Sequence, residues 1–246
     1  MLDKEKLAQE WVELSDPWIK ESREGANPTR TGLLDGPMLE GCGDVQGLNV
    51  LDLGCGEGRF CRMLRDKGAV VLGLDLCEPM IAAAEELKGE GDEYRVADVQ
   101  DLVFLESESY DLAVSYLNQC DLPDMDANNR EVFRVLKPGG KFVVANVHPM
   151  RSANAGWCRG ESNEKLHVML DNYFDEGERH WKMMGKEFTN FHRTLETNIR
   201  SFNDAGFQVT GMREPSVTEE NLKKHPDLDD ELRVPNFIIF ILRKPE

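Results

Sequence analysis

The stretch Val50-Leu51-Asp52-Leu53-Gly54-Cys55-Gly56-Glu57-Gly58-Arg59-Phe60 constrains the fold of this chain more than any other. Leu48 to Leu53 is a mostly apolar run of strand length. Three glycines at alternate positions end it, and a turn without Cβ atoms lets backbone approach a ligand closely. The helix predicted over Arg59–Lys67 points its free N–H groups at the same place. Strand, glycine turn and helix form the nucleotide-binding corner of a doubly wound α/β sheet. A dinucleotide fingerprint reads G-x-G-x-x-G. Here the third glycine comes one residue early, as Gly58, and Arg59 stands where the fingerprint has glycine. A tight turn with no ligand is the other reading that this stretch leaves open.

The residues downstream alternate between strand and helix. Val70 to Leu74 is all apolar, as in a parallel strand covered on both faces. It runs into Asp75, about 20 residues past the glycines, where an acid accepts both hydrogen bonds of a ribose diol. Glu78-Pro79-Met80 opens a helix with Ile81, Ala84 and Leu87 on its apolar face. Tyr94–Ala97 is a shorter strand ending in Asp98-Val99. An acid there accepts the adenine amine while the next backbone N–H donates to the ring. Tyr110–Tyr116 is the fourth strand, and its end at Ser115-Tyr116 lies at the topological switch point. Asp124 is placed as an N-cap for a helix carrying Val132, Val135 and Leu136. That helix stops at Lys137-Pro138-Gly139-Gly140, and Lys141–Val147 is the fifth strand.

Five features now stand in order: D-x-G-x-G-x-G from Asp52 to Gly58, Asp75, Asp98, the Tyr110–Tyr116 strand, and R-V-L-K-P-G-G from Arg134 to Gly140. Together they resemble the class I S-adenosylmethionine-dependent methyltransferases. Phe133–Gly140 and the apolar strand after it resemble the small-molecule branch, which includes ubiquinone- and menaquinone-type enzymes. The resemblance is strong over about residues 47–148. It continues more loosely through H-R-T-L from His192, A-G-F from Ala205, Glu214-Pro215 and P-x-F-I-I-F near the end. It implies an α/β, Rossmann-like, doubly wound sheet of seven mostly parallel strands with an antiparallel last strand. It also implies S-adenosyl-L-methionine as cofactor, S-adenosyl-L-homocysteine as product, and a small-molecule acceptor methylated at oxygen ahead of nitrogen or carbon. The cofactor contacts expected are Asp52, Gly54, Cys55, Gly56, Asp75, Leu76, Asp98, Val99, Ser115 and Tyr116.

The flanks complete a single domain, 1–246, in four parts. Residues 1–46 are N-terminal helices, 47–148 the cofactor-binding core, 149–192 an insertion and 193–246 the C-terminal part of the sheet. From Asp3 to Leu14, Leu7, Trp11 and Leu14 keep helical spacing. Asp16-Pro17 begins a break and Gly25-Ala26-Asn27-Pro28 is loop. Leu33, Leu34 and Met38 indicate a short helix before Gly41. These helices either pack on the sheet edge or form a lid in which Trp18, Arg23 or Arg30 reaches the ligand. Met150–Asn190 lacks regular periodicity but carries Trp157, Tyr173, Phe174, Trp181 and Phe188. An irregular stretch of about 40 residues in a compact domain serves most often as a lid. It is read as a substrate cap over the ligand, with a surface excursion or dimer contact as the alternative. A helix with Leu195, Ile199 and Phe202 follows, then Gly206 as C-cap, a strand at Gln208–Met212 and an antiparallel strand at Phe237–Leu242. Histidine is the natural general base near neutral pH. His148, after strand five, and His192, after the insertion, are the catalytic candidates, each against the alternative of a hydrogen-bonded structural imidazole. Tyr173 and Asp171 are weaker ones.

Charge and absences narrow the function. The net charge of −17 and pI near 4.8, with no Lys/Arg cluster, argue against nucleic acid, since phosphate binding needs a basic surface. Six cysteines show no C-x-x-C pair and no zinc spacing, and no metal is expected. Asp121 and Asp124 read as a loop acid and a cap. No apolar run reaches the ~20 residues of a membrane span, and Met1–Lys20 lacks the apolar core of a signal peptide. The chain is expected to be cytoplasmic. No N-P-P-[YF] follows strand four. Two rivals stay open: a nicotinamide-dependent oxidoreductase, disfavoured by the glycine spacing, and a non-catalytic adenosylmethionine-binding or partner-binding protein.

Overall fold

A computed structural model describes residues 4–25 and 27–246, the side chain of Ala155 aside. Asp3 and Ala26, assigned above to a helix start and a loop, lie outside the described residues. The apolar runs assemble into one seven-stranded sheet. Its strands are β1 (Asn49–Leu53), β2 (Val70–Asp75), β3 (Asp92–Val96), β4 (Tyr110–Tyr116), β5 (Leu136–Val147), β10 (Gln208–Arg213) and β11 (Phe237–Arg243), in the order β10-β11-β5-β4-β1-β2-β3. β1 pairs in parallel with both β2 and β4, so the order reverses at β1/β4. β11 runs antiparallel to β5 and to β10. This is the Rossmann-like arrangement expected. β5 begins earlier than Lys141: Leu136 pairs with Tyr110, and a register shift absorbs Pro138-Gly139-Gly140 before Lys141 pairs with Leu112.

Strand alternation divides the core in two. Val50, Val71, Leu112 and Val114 face α2 (Asp35–Cys42) and α3 (Arg59–Arg65), burying Leu34, Met38, Phe60 and Leu64. Leu51, Leu53, Ala113 and Phe142 face α5 (Met125–Val135) and α7 (Leu195–Asp204), burying Val132, Val135 and Phe202. Caps fix the helix starts: Asp124 accepts from Ala127 N at 2.8 Å and Thr194 from Thr197 N at 3.2 Å. α4 (Glu78–Glu86) ends before Leu87, which is 43% exposed and not part of the apolar face assigned to it.

Two readings are corrected. First, Pro17 does not end the first helix: α1 runs unbroken from Lys4 to Glu24. An interior proline costs about 3 kcal/mol, and contacts on both sides of it offset that. Trp11 packs edge-on against Trp18 and Phe188, with centroids 5.6 and 6.2 Å apart, and Arg23 donates to Ala83 O of α4 at 2.9 Å. Second, the insertion is not irregular. After the single turn α6 (Pro149–Ser152) it folds into two antiparallel hairpins, β6 (Asn154–Arg159) with β7 (Lys165–Leu170) and β8 (Gly177–Met183) with β9 (Lys186–His192). β8 alternates half-buried and exposed residues throughout. Its turn carries positive φ at Met184 (51°) and Gly185 (78°), the pair of left-handed residues that a tight hairpin demands.

Candidate active site

A cleft with about 1150 Å³ of empty space, its open mouth included, lies along the carboxyl edge of β1, β2 and β4. One wall is the sheet edge, where Asp52, Gly54, Cys55, Gly56, Asp75, Leu76, Asp98, Val99 and Tyr116 all line it. Of the ten contacts expected from the sequence, Ser115 alone is missing. Strand parity explains this: Ser115 pairs with Leu53 and faces the other half of the core, fully buried, while Tyr116 faces the cleft.

The glycine corner is fixed by its own backbone. Gly54 N and Cys55 N donate to Leu74 O at 2.8 and 2.9 Å, and Gly58 N to Cys55 O at 3.1 Å. Gly56 N donates to Asp75 Oδ2 at 2.8 Å, and Cys77 N to Asp75 Oδ1 at 2.9 Å. The amides of Gly54, Cys55, Gly56 and Gly58 therefore already have protein acceptors. Gly54 has φ +71°, and a Cβ there would meet the Asn118 side chain at 2.3–2.5 Å. Burial raises the Asp75 carboxyl above its usual range, against the Cys77, Gly56 and Leu76 amides that stabilise its anion. Burial likewise pushes Asp52 up to about 7, although Cys61 Sγ donates to it at 3.1 Å.

The opposite wall is α1, through Lys4, Leu7, Ala8, Trp11, Trp18 and Ser22. Sequence spacing assigned Leu7 and Trp11 to an apolar helix stripe, and the stripe faces this cleft. Trp18 and Arg30 reach it too. Arg23 turns away and pairs with Glu86 at 2.9 Å. Near the end of β3, Asp98 accepts from Gln100 N at 2.9 Å and from Lys4 Nζ at 2.8 Å.

Among the described residues three cations line the cleft: Lys4, Arg30 and Arg59. Lys4 pairs with Asp98. Arg59 is held by both oxygens of Asp35 on α2, at 2.7 and 2.8 Å, and Tyr116 Oη donates to Asp35 as well, at 2.9 Å. Among the described residues no carboxylate lies within ion-pair distance of Arg30, although Asp35 acts on its charge from farther off. Its guanidinium lies 4.9 Å from the ring centroids of both Trp18 and Tyr116. Burial lowers its pKa, and the Arg59 charge adds to that. A cation with aromatic walls and no acid of its own is a place for a ligand carboxylate.

The structure does not bring the two histidines to the cleft. His148, 5% exposed, accepts from Met150 N on Nδ1 at 3.1 Å, so its Nε2–H donates to Glu214 Oε1 at 3.1 Å. His192, 1% exposed, donates from Nε2 to Tyr173 O at 2.8 Å, which leaves Nδ1 to accept from Ser152 Oγ at 2.6 Å. Neither ring keeps a free lone pair to receive a proton, and neither lines the cleft. Tyr173 is also engaged, accepting from Leu195 N at 3.0 Å. Nor does any residue of the insertion line the cleft. Its β9 rests on α1, where Thr189 N and Oγ1 donate to Glu10 at 2.8 and 3.2 Å and Phe188 packs on Trp11, and on the turn after β4. That turn contributes Asn118, Asp121, Leu122 and Pro123 to the cleft, which the sequence reading had not assigned to the site.

Residues 51–144 match the family described as methyltransferase domain. An S-adenosylmethionine-dependent methyltransferase from Mesorhizobium loti, known as a crystal structure, is 33% identical, with a TM-score of 0.77, over 89% of this chain and 99% of that one. A ubiquinone biosynthesis O-methyltransferase from Pseudomonas savastanoi pv. phaseolicola is 28% identical over 98% of this chain and 94% of its own. An uncharacterized protein from Haemophilus influenzae is 26% identical over 85% of this chain and 86% of its own. With the strand order, the glycine corner and a one-third identity along nearly the whole of a solved relative, the chain belongs to the class I S-adenosylmethionine-dependent methyltransferases.

Proposed function

We propose that this enzyme methylates an oxygen of a small-molecule acceptor. S-adenosylmethionine, its cofactor, supplies when bound an electrophilic methyl on a sulfonium, which an acceptor lone pair attacks as the C–S pair returns to sulfur. The observation that carries the cofactor site is Arg30, a cleft cation held between Trp18 and Tyr116 beside the glycine corner, with no carboxylate at ion-pair distance among the described residues. It fits the carboxylate of the methionine moiety, with Gly54, Cys55 and Gly56 giving the close backbone approach. Asp75 keeps lone pairs beyond the amides it accepts, enough for a ribose diol. Asp98 and Val99 suit the adenine, with Leu76 beneath it, and Asp52 lies under the corner. No covalent side chain is needed, because alignment and exclusion of water carry much of such a displacement.

The choice of oxygen rests on the O-methyltransferase name of the Pseudomonas relative. The protein's formal charge of −17 suits a small acceptor better than nucleic acid. Calorimetric titration with S-adenosylhomocysteine, beside NAD and NADP, tests the cofactor site, and binding of the first alone is expected. Transfer of labelled methyl to catechols and phenols, against primary amines, tests the acceptor. Methyl ethers are the expected products, and N-methyl products alone would overturn the oxygen assignment.

A further inference from the structure

Among the described residues five carboxylates line the cleft: Asp52, Glu57, Asp75, Asp98 and Asp121. Four are committed. Each oxygen of Asp75 and of Asp98 has a donor. Asp52 Oδ2 and Glu57 Oε2 have donors too, and the second oxygen of each is unpaired but sealed from the cleft. Asp121 differs. Its Oδ1 accepts from Asn190 Nδ2 and, at 3.5 Å, from Cys120 Sγ. Its Oδ2 has no hydrogen bond or ion pair and is not among the sealed atoms. Among the described residues it is the one cleft carboxylate with an oxygen both open and unclaimed.

The turn that holds it is rigid. Leu117 takes a left-handed φ of +59°, a strain that persists only where surroundings impose it. Arg193 donates to Gln119 O at 3.2 Å, to Leu122 O and to Pro123 O at 3.3 Å, clamping both sides of Asp121 from below. Gln119 Nε2 is tied to Asn128 and Asn129 at 2.9 and 2.6 Å. Asn190, from the insertion, fixes the rotamer. The hairpin thus reaches the cleft through residues that line it, without lining it itself.

We propose that Asp121 Oδ2 takes the proton that the acceptor hydroxyl releases as its oxygen is methylated. This rests on the oxygen-methylation reading above. The acceptor O–H bond breaks with its electron pair left on oxygen, and that oxygen forms the bond to the methyl carbon. The C–S pair goes to sulfur. The proton goes to Asp121 and then to solvent at the open mouth. Burial holds the Asp121 carboxyl up at about 8, with Asp75 on β2 raising it further; Cys120, Asn190 and the Arg30 charge act the other way. A base near the working pH balances availability against driving force.

The test needs no acceptor. Affinities for S-adenosylmethionine and S-adenosylhomocysteine are measured by calorimetry from pH 6 to 8.5 on the wild type, Asp121→Asn and Asp52→Asn. The two ligands differ by the sulfonium charge, and their ratio cancels the amino and carboxylate groups they share. An ionised Asp121 beside the sulfonium makes that ratio rise with pH, by about tenfold for each unit that the cation shifts its pKa. The rise should vanish in Asp121→Asn, which preserves the acceptor for Asn190, while homocysteine-ligand affinity stays within about threefold. Persistence of the full rise in Asp121→Asn, or its loss in Asp52→Asn instead, would overturn the proposal. Failure of the wild type to bind either ligand would overturn the cofactor site and this proposal together.

Discussion

The cleft has two walls of different construction. The sheet wall is backbone: parallel ladders between β1, β2 and β4 set the positions of Gly54, Gly56 and Asp75, and main-chain amides hold them. The helix wall is attached by side chains. Lys4 reaches Asp98 with its own side chain 55% exposed, Arg23 reaches Glu86, and Thr189 of the insertion braces Glu10. Exposed ion pairs of that kind contribute about 0–1 kcal/mol each. The comparison teaches a division of labour. The glycine corner and the acids that would meet ribose and adenine stand on the backbone-held wall, whereas Arg30 and Trp18 come from the N-terminal side. The wall opposite combines exposed ion pairs with the Trp11–Trp18–Phe188 packing and the fully buried Leu14.

Gly54→Ala should break this comparison most severely. The left-handed φ of +71° costs an alanine about 1–2 kcal/mol. The new Cβ would also lie 2.5 Å from Asn118 Cβ, which cannot swing aside without moving the turn that carries Asp121; overpacking of this kind adds about 1–3 kcal/mol. Calorimetry with S-adenosylhomocysteine should show at least about a hundredfold loss, with a lowered melting temperature. Native affinity in this variant would mean that the sheet wall is not rigid.

Asp52→Asn comes next and acts on stability through pH. Unfolded, the carboxyl ionises near 3.9; folded, burial holds its proton to about 7. Between those values the folded chain binds more protons, so its stability falls as pH rises and the loss is complete above about 7. The asparagine, which still accepts from Cys61, should escape that loss. Denaturation by urea at pH 5 and pH 8 should show its advantage larger at pH 8 by about 2–3 kcal/mol. An equal effect at both pH values would place the Asp52 charge elsewhere than in a dry corner.

Asp75→Ala tests recognition on the sheet wall. Losing a charge-assisted hydrogen bond to the ribose should weaken S-adenosylhomocysteine by about 1–3 kcal/mol. Unchanged binding would displace the ribose from this acid. The contrast with the helix wall would then lose its main support.

What could be read from the chain follows the same division. Glycine spacing, apolar strands and the acids at strand ends are local signals, and they placed nine of the ten expected cofactor contacts on the cleft. Ser115 was within reach too, since parity along β4 allows only one of Ser115 and Tyr116 to face the cleft. The rest depended on direction and partner, which chain order does not carry. His148 and His192 stand at the right strand ends, but each ring is turned into the protein and used on both nitrogens. Asp121 looked like a loop acid because nothing in its neighbourhood predicts Asn190, 69 residues later, as the group that aims it. The hairpins of the insertion hid because most of their side chains stay partly exposed, so no apolar face announces the strands. Pro17 misled for a related reason: propensity speaks for an isolated helix, and α1 is held by tertiary contacts.

Lys4→Ala should have the smallest effect and is the sharpest test of the helix wall. Half-burial opposes ionisation of Asp98, but Lys4 and Gln100 together hold its carboxyl below the usual range. The Lys4 ammonium sits on Oδ2, the oxygen that would be left for an adenine amine under the proposed reading, since Gln100 takes Oδ1. Removing it deletes an exposed pair worth at most about 1 kcal/mol and clears that oxygen. S-adenosylhomocysteine affinity should therefore hold or tighten by up to about fivefold, a range set by the same exposed pair. The dissociation rate should rise, because the start of α1 loses its anchor over the cleft. Raised salt should move the wild type toward the variant, since exposed pairs are screened within about 10 Å at 0.1 M. A tenfold weakening in Lys4→Ala would instead show that α1 takes part in recognition directly. The two walls would then differ in strength of attachment but not in role.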